Sequence, residues 1–167
     1  MLTTKEHIEL NNEVASYCKT LFFTDAIPEL CRTEGTPKQV AYLRDALRGE
    51  LVKRAENRRI RLIKRARFPI YKTFEGYDFS HVTLPPALAK DDLETVTFVE
   101  KKQNLILYGP VGTGKTHMAI AAGVNACMKG YKVQFYTVTE LVLKLAEARA
   151  SGTLERLRNA LETLDLL

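Results

Sequence analysis

The stretch that most restricts the fold is the glycine-rich octapeptide GPVGTGKT at residues 109–116. It matches the pattern G-x-x-x-x-G-K-[ST], in which glycines let the backbone turn tightly and point its N–H groups at phosphate oxygens. The apolar run NLILY precedes it, and the apolar helical segment THMAIAAGVNACMKG follows it. A strand, a loop and a helix in this order are the context that the motif requires. We therefore interpret it as a phosphate-binding loop.

The residue types of this loop predict a nucleotide and a metal ion. The lysine should reach the β- and γ-phosphates, the threonine hydroxyl should bind Mg²⁺, and the start of the following helix adds positive potential. We expect ATP and Mg²⁺ here, with Thr116 as the metal ligand, and nucleotide contacts from Gly109, Pro110, Val111, Gly112, Thr113, Gly114, Lys115 and Thr116. The next residue, His117, is expected to pack or cap in the first helical turn and not to catalyse.

The segments around the loop predict an α/β fold class. The run KVQFYT has the pattern of a second strand, the final DLL that of the start of a third, and helical patterns separate the three. Strands that alternate with helices imply a parallel sheet. We expect a small, basic helical domain over residues 1–72, followed by the first part of a P-loop parallel-sheet domain over residues 73–167.

Local signals mark several helix ends. Thr36, Pro37 and Gln39 suit the start of a long amphipathic helix whose apolar residues recur every three or four positions. Gly130 suits a helix C-cap, Thr137 and Glu140 have capping-box spacing, and so do Thr3 and Glu6.

The net charge of +5 is concentrated in one short block. Residues 44–67 carry 10 basic and 3 acidic side chains, whereas residues 76–167 carry 10 of each. Such an excess on one predicted helix indicates a polyanion site, and arginine suits phosphate. We predict contacts to the DNA backbone, with little sequence preference, from Arg54, Arg58, Arg59, Arg61, Lys64, Arg65 and Arg67. The alternative is a solvated helix whose cations pair with Glu50 and Glu56.

Bulk features predict the compartment. The three cysteines lie far apart, without metal-ligand spacing, and are expected to be buried or free thiols of a reducing cytosol. The polar N-terminus does not resemble a signal peptide, and no apolar run approaches the roughly 20 residues that span a bilayer. We expect a cytoplasmic protein without membrane contact.

A longer stretch carries a family resemblance. The segment GPVGTGKTHMAIAAGVNACMKGYKVQFYTVTELVLKLAEARASGTLERL resembles the IstB family, the helper ATPases of bacterial insertion-sequence transposons, which are AAA+ proteins related to the DnaC helicase loaders. The segment RRIRLIKRARFPIYKTFEGYDFS is similar to the part that joins that family's N-terminal domain to its ATPase core. The resemblance extends over about residues 45–167.

The resemblance implies an ATP-dependent, DNA-binding helper in the bacterial cytoplasm, which acts with the transposase of its element in choosing target DNA. It implies an AAA+ core, a homo-oligomer in the complete protein, and nucleotide contacts over residues 109–116. It also brings Tyr77 or Phe79 near the base, although core packing is the alternative role for both.

The chain departs from the family at its end. The family's Walker B acids, sensor residue and arginine finger are expected after Leu167. Hydrolysis needs an acidic residue to hold Mg²⁺ and a group to orient water. We therefore expect a fragment or a decayed copy that binds nucleotide and hydrolyses ATP poorly.

Other functions stay open at this point. A DnaC-like helicase loader shares the fold and differs in its partner. A small-molecule P-loop kinase belongs to another class, and the basic helical segment ahead of the loop argues against it. A DNA-binding module with a vestigial ATP site is the third alternative. No motif indicates the cognate partner, the oligomer size or a preferred DNA sequence.

Overall fold

Helices make up nearly all regular structure in the part of the chain that the computed structural model describes, residues 4–86 and 88–167. The chain divides into two units, Met1–Asn57 and Arg58–Leu167, whereas the sequence predicted a boundary after residue 72. In chain order the helices are α1 (Thr4–Thr20), α2 (Ala26–Thr33), α3 (Pro37–Ala66), α4 (Lys90–Glu94), α5 (Thr97–Glu100), α6 (Lys115–Lys129), α7 (Val138–Ala150) and α8 (Leu154–Glu162).

The first unit is built on one apolar cluster from α1, α2 and the first part of α3. Val14 and Cys18 of α1 and Val40 of α3 are almost completely buried, and Cys31 of α2 packs with them. Leu47 of α3 is buried in the same cluster, and Leu43 and Leu51 pack against it. The predicted apolar stripe of this helix is therefore confirmed.

The start of α3 follows the predicted local signals. The helix begins at Pro37, and the Thr36 N–H donates to the side-chain oxygen of Gln39 at 3.0 Å. The backbone N–H of Val40 donates to the Thr36 carbonyl and closes the first turn. The capping box predicted at Thr3 and Glu6 lies outside the described residues, because they begin at Thr4.

The second unit is organised around α6. One face of this helix, including Met118, Ala122 and Cys127, is buried against α4, α5 and the aromatic segment that follows α3. The helix has a left-handed glycine at each end, Gly114 with φ +80° and Gly130 with φ +96°. The Gly130 N–H bonds back to the last turn, so the predicted C-cap is confirmed.

The capping box at the start of α7 is also confirmed. Thr137 N–H donates to the Glu140 carboxylate at 2.8 Å, and Glu140 N–H donates to the Thr137 hydroxyl at 3.2 Å. These hydrogen bonds to Thr137 hold the pKa of Glu140 below its ordinary value. The charged carboxylate is therefore the form that caps the helix.

The predicted parallel sheet is wrong for the residues that the structure describes. Within them, strand-like pairing is limited to an isolated parallel bridge between Val133 and Leu166, next to a hydrogen bond from Gln134 N–H to the Leu166 carbonyl (3.1 Å). Residues 104–108, the predicted first strand, form no backbone hydrogen bond with another described segment. The α/β fold class is therefore corrected to a mainly helical structure.

The extended run at 104–108 shows why this prediction failed. Leu105 and Leu107 pack against the core, whereas Ile106 is 82% exposed and Tyr108 is 92% exposed. This alternation has the period of two that the apolar pattern suggested. A strand also needs a neighbour to accept and donate its backbone hydrogen bonds, and a hydrophobic pattern does not supply that neighbour.

Two further expectations concern the cysteines and the membrane. Cys18, Cys31 and Cys127 are all free and buried, as predicted, and burial raises the pKa of the Cys127 thiol to about 11. That thiol is therefore protonated and unreactive near neutral pH. In the described part of the chain, every helix is too short or too polar to cross a membrane.

Candidate functional site

The glycine loop turns back on itself directly before α6. Gly109, Gly112 and Gly114 have φ of +145°, +85° and +80°, a region that other residues enter only with strain. Helix α6 starts at the next residue, Lys115, and its first full-turn hydrogen bond runs from Met118 N–H to the Gly114 carbonyl at 2.9 Å. A helix start after such a turn offers free N–H groups and the positive end of the helix dipole to an anion.

Side chains of the loop support the same arrangement. The Thr113 hydroxyl donates to the Pro110 carbonyl at 2.9 Å, and the Lys115 ammonium donates to the same oxygen at 2.6 Å. The lysine therefore lies over the loop, where a phosphate held by the backbone would meet its charge. Thr116 is exposed in the first turn of α6. Contact between its hydroxyl and Mg²⁺ stays a prediction.

A cleft of about 880 Å³ opens beside the loop. Lys115 and Thr113 line it on the loop side, and Tyr77, Leu107 and Met118 supply aromatic and apolar surface. A pocket lined by apolar and aromatic side chains together with some polar groups is typical of a small-molecule site. The cleft therefore has room for more than the phosphates.

The two aromatic residues expected near a base have different surroundings. Tyr77 lines the cleft. Phe79 stacks on Phe74, with ring centroids 5.8 Å apart, and carries the Lys90 ammonium over its ring at 4.7 Å. Contact between either residue and a base stays a prediction, and the geometry favours Tyr77 for it.

His117 lies in the first turn of α6, and its ring packs against Tyr77 with centroids 5.0 Å apart. Its Nε2 also lies 2.8 Å from the carbonyl oxygen of Thr73. Sequence reasoning missed this second contact. The partners are 44 residues apart, so no local pattern indicates it.

The cations of α3 fall into two groups. Three of those in the first part have acidic partners: Arg44 with Glu13 and Asp45, Lys53 with Glu56, and Arg54 with Glu50. The hydrogen bond and charge of Lys53 hold the pKa of Glu56 below its ordinary value. Within the described residues, no acid pairs with Arg58, Arg59, Arg61, Lys64 and Arg65 of the last part, or with Arg67, which directly follows the helix.

These six cations are all exposed, and three of them share a face. Arg58, Arg61 and Arg65 recur at steps of three and four residues, so their side chains project from one side of α3 over about 10 Å. We call these three residues the basic face. Leu62, Ile63 and Ala66 project elsewhere and pack into the core of the second unit. Packing therefore holds this end of the helix, and its arginines are left to solvent.

Histidine, cysteine and acidic side chains are the usual metal ligands in proteins. Over residues 4–86 and 88–167, no group of three His, Cys, Asp or Glu side chains is placed to hold a metal ion.

Comparison with known proteins gives a consistent assignment. Residues 25–167 match the family described as IstB-like ATP binding protein. A Sinorhizobium fredii protein named as an insertion sequence ATP-binding protein is 33% identical over 164 residues, which are 96% of this chain and 53% of that protein. The protein named as the ATP-binding protein of insertion sequence IS5376 in Geobacillus stearothermophilus is 36% identical over 110 residues, 66% of this chain and 44% of its own length.

A shorter similarity reaches a replication protein. The chromosomal replication initiator protein DnaA of Aquifex aeolicus is 38% identical over 63 residues, which are 38% of this chain and 16% of that protein. The chain spans about half or less of the length of these curated relatives.

Proposed function

The chain belongs to the IstB-like ATP-binding protein family, and we propose that it binds ATP and DNA as a transposition helper that acts with the transposase of an insertion sequence. ATP binding would use the loop at residues 109–116, and DNA binding the unpaired cations at the end of α3. Each activity rests on a different feature of the second unit.

The shape of the glycine loop is the observation that carries the proposal. Three positive-φ glycines lead directly into α6, and Lys115 lies over the loop. Backbone N–H groups, a helix N-terminus and an ammonium suit a chain of phosphates. Thr116 is the proposed Mg²⁺ ligand, and the metal would bridge and neutralise phosphate oxygens.

DNA binding is supported by the unpaired charge. Exposed arginines without acidic partners form a net positive surface, whereas paired cations such as Arg54 would have to leave an acid first. Contacts of this kind bind the phosphate backbone and depend strongly on salt. We propose weakly specific binding to DNA through Arg58, Arg59, Arg61, Lys64, Arg65 and Arg67.

The choice of partner is supported by the names of the relatives. Two proteins that are 33% and 36% identical are named for insertion sequences and for ATP binding. A transposase encoded by the same element is therefore the proposed partner. The DnaA similarity supports a second candidate, a helicase-loading role in replication, over a shorter segment.

The proposal is for ATP binding and does not include efficient hydrolysis. Hydrolysis needs an acidic residue for Mg²⁺ and a group that orients water. The described residues that line the cleft beside Lys115 include no aspartate or glutamate. The nucleotide would then regulate DNA or partner binding in this chain without rapid turnover.

Two binding measurements on the purified chain test the proposal. Calorimetry should detect ATP binding with Mg²⁺, and fluorescence anisotropy should detect binding to labelled duplexes of unrelated sequence. Raising salt should weaken the DNA complex steeply, by a log–log slope of roughly 0.9 for each phosphate contacted. DNA binding that ATP does not alter would favour a DNA-binding module with an inactive nucleotide site.

Partner identity needs a separate experiment. The chain, immobilised with ATP and DNA, should retain the transposase encoded beside its gene and not the replicative helicase of the same cell. Retention of the helicase alone would replace the transposition role with helicase loading. The Lys115→Ala variant is the matched control for whether retention depends on ATP.

A further inference from the structure

His117 joins two segments that are far apart in the sequence. It is the third residue of α6, directly after Lys115 and Thr116. Its Nε2 lies 2.8 Å from the carbonyl oxygen of Thr73. Because a carbonyl oxygen can only accept, this ring nitrogen carries the hydrogen and donates it. The bond ties the start of α6 to the backbone that enters the aromatic segment.

A tight turn presents Tyr77 to the same histidine. The Tyr77 N–H donates to the Phe74 carbonyl at 3.0 Å, and Gly76 within the turn has φ +69°, which suits glycine. The rings of Tyr77 and His117 then meet edge to face, at an interplanar angle of 67°. His117 thus contacts the turn at Tyr77 and the backbone just before it at Thr73.

Tyr77 in turn lies against the phosphate loop. A Cβ added to Gly114 would meet the Tyr77 hydroxyl oxygen at 2.9 Å, so the tyrosine closely approaches the last glycine of the loop. The same tyrosine lines the cleft together with Lys115. The lining of the cleft also includes the apolar side chains of Leu107 and Met118 and the uncharged polar ones of Gln103 and Asn104. Such surface suits the nucleoside part of a nucleotide better than its phosphates.

We propose that His117 is a positioning residue for the nucleoside part of a bound nucleotide. It holds Tyr77 beside the phosphate loop and touches no phosphate itself. The proposal rests on the ATP binding proposed above. Without the imidazole, the turn at residues 74–77 loses its ring contact with α6, and the preceding carbonyl loses its donor. The loop keeps its glycine geometry and Lys115, so the phosphate end of the site is retained.

Two ligands separate the two ends of the site. Inorganic tripolyphosphate offers phosphates without a nucleoside, and ATP offers both. His117→Ala should weaken ATP binding roughly tenfold and tripolyphosphate binding by less than about twofold. His117→Gln keeps an N–H donor for the Thr73 carbonyl but not the ring contact with Tyr77, and should restore part of the ATP affinity. Calorimetry on the full chain, with Mg²⁺ present, measures the affinity of each variant for ATP and for tripolyphosphate.

A double-mutant cycle tests whether the effect runs through Tyr77. Tyr77→Ala should weaken ATP binding by itself. Adding His117→Ala to that variant should lower the ATP affinity by less than about twofold more. A histidine that only stabilised the fold would weaken ATP binding equally in both backgrounds.

The outcomes distinguish the proposed role of His117 from the proposed ATP binding on which it rests. Equal losses of ATP and tripolyphosphate in His117→Ala would overturn it, because they would place the histidine's influence at the phosphates. Unchanged ATP affinity, or no recovery in His117→Gln, would overturn it and leave ATP binding intact. An unaltered chain that bound no ATP would overturn both proposals.

Discussion

The phosphate loop and the basic face of α3 both suit phosphate, by different means. In the loop, backbone N–H groups are aimed by three glycines with positive φ, and one lysine adds its charge. On the basic face, Arg58, Arg61 and Arg65 stand on an ordinary helix, and no acid is recorded beside them in the described residues. One site depends on the shape of its backbone, and the other on the number of its charges.

This difference predicts opposite responses to mutation and salt. A site made by backbone geometry should fail when one residue changes, and should respond weakly to salt because its donors converge on one ligand. A site made by exposed charges should tolerate single changes and weaken steadily as salt screens it. The variants below test that contrast.

Lys115→Ala should have the largest effect. Loss of the ammonium removes a charge-assisted contact to phosphate worth about 3 kcal/mol, so ATP should bind roughly a hundredfold more weakly. Lys115→Arg should not restore binding, since the broad guanidinium does not match a loop shaped for an ammonium. DNA binding without ATP should be unchanged in both variants. Calorimetry and anisotropy report the two affinities, and a Lys115→Arg chain that bound ATP normally would contradict the shape argument.

The second prediction compares two triple variants of equal charge. Arg58→Gln, Arg61→Gln and Arg65→Gln together remove the basic face. At physiological salt this should weaken DNA binding about thirtyfold and lower the salt slope by roughly two to three. The matched control changes Arg59, Lys64 and Arg67 to Gln. It removes the same total charge and leaves the three arginines of the basic face in place.

Anisotropy titrations at several salt concentrations show whether DNA binds to one particular face of α3 or responds only to the total positive charge. The control should lose clearly less affinity than the basic-face variant. Equal losses in the two triple variants would mean that total charge, and no particular face, binds DNA.

The third prediction compares the glycines at the two ends of α6. Both have left-handed φ, where an added Cβ costs about 1–2 kcal/mol. Gly114→Ala also meets Tyr77, and should weaken ATP binding roughly tenfold. Gly130→Ala meets nothing within 4 Å and should lower stability alone. Thermal unfolding measures the shared cost, and calorimetry measures the affinity that only Gly114→Ala should change. Weaker ATP binding in Gly130→Ala would show that α6 stability, and not loop shape, controls the site.

The smallest effect on binding is expected when the basic face keeps its charges and only the shape of its side chains is changed. With Arg58, Arg61 and Arg65 all replaced by Lys, DNA affinity should fall by only about twofold, and the salt slope should stay the same. This contrasts with Lys115→Arg, the reverse exchange, which should leave ATP binding about as weak as in Lys115→Ala. A large loss of DNA affinity in the lysine variant would indicate bidentate recognition by the arginines.

Much of the helical structure could be predicted because its signals are local. The C-cap at Gly130, the capping box of Thr137 and Glu140, and the start of α3 after Thr36 each depend on residues within one turn. The phosphate-loop pattern lies, as expected, directly before a helix. Its proposed contacts with nucleotide and metal stay predictions.

The failed sheet prediction has a physical cause, which is its dependence on distant partners. The pattern of residues 104–108 specified an extended segment with alternating exposure, but pairing required a neighbouring strand that the described chain does not place there. The ion pairs with Glu50 and Glu56 within the basic block are local, and the sequence had indicated them as the alternative to DNA binding. Arg54 is among the residues predicted to contact DNA; it pairs with Glu50 in the structure, and its contact with DNA stays a prediction.

The sequence by itself determined the helices, their caps, the glycine loop and the position of the positive charge. These features follow from steric preferences and from contacts within a few residues, so short sequence patterns indicate them. The tertiary structure alone decided that no sheet forms in the described residues, and that His117 reaches the Thr73 carbonyl. It also brought Tyr77 against Gly114. These contacts join segments tens of residues apart, and packing selects among many partners that the sequence leaves equally available.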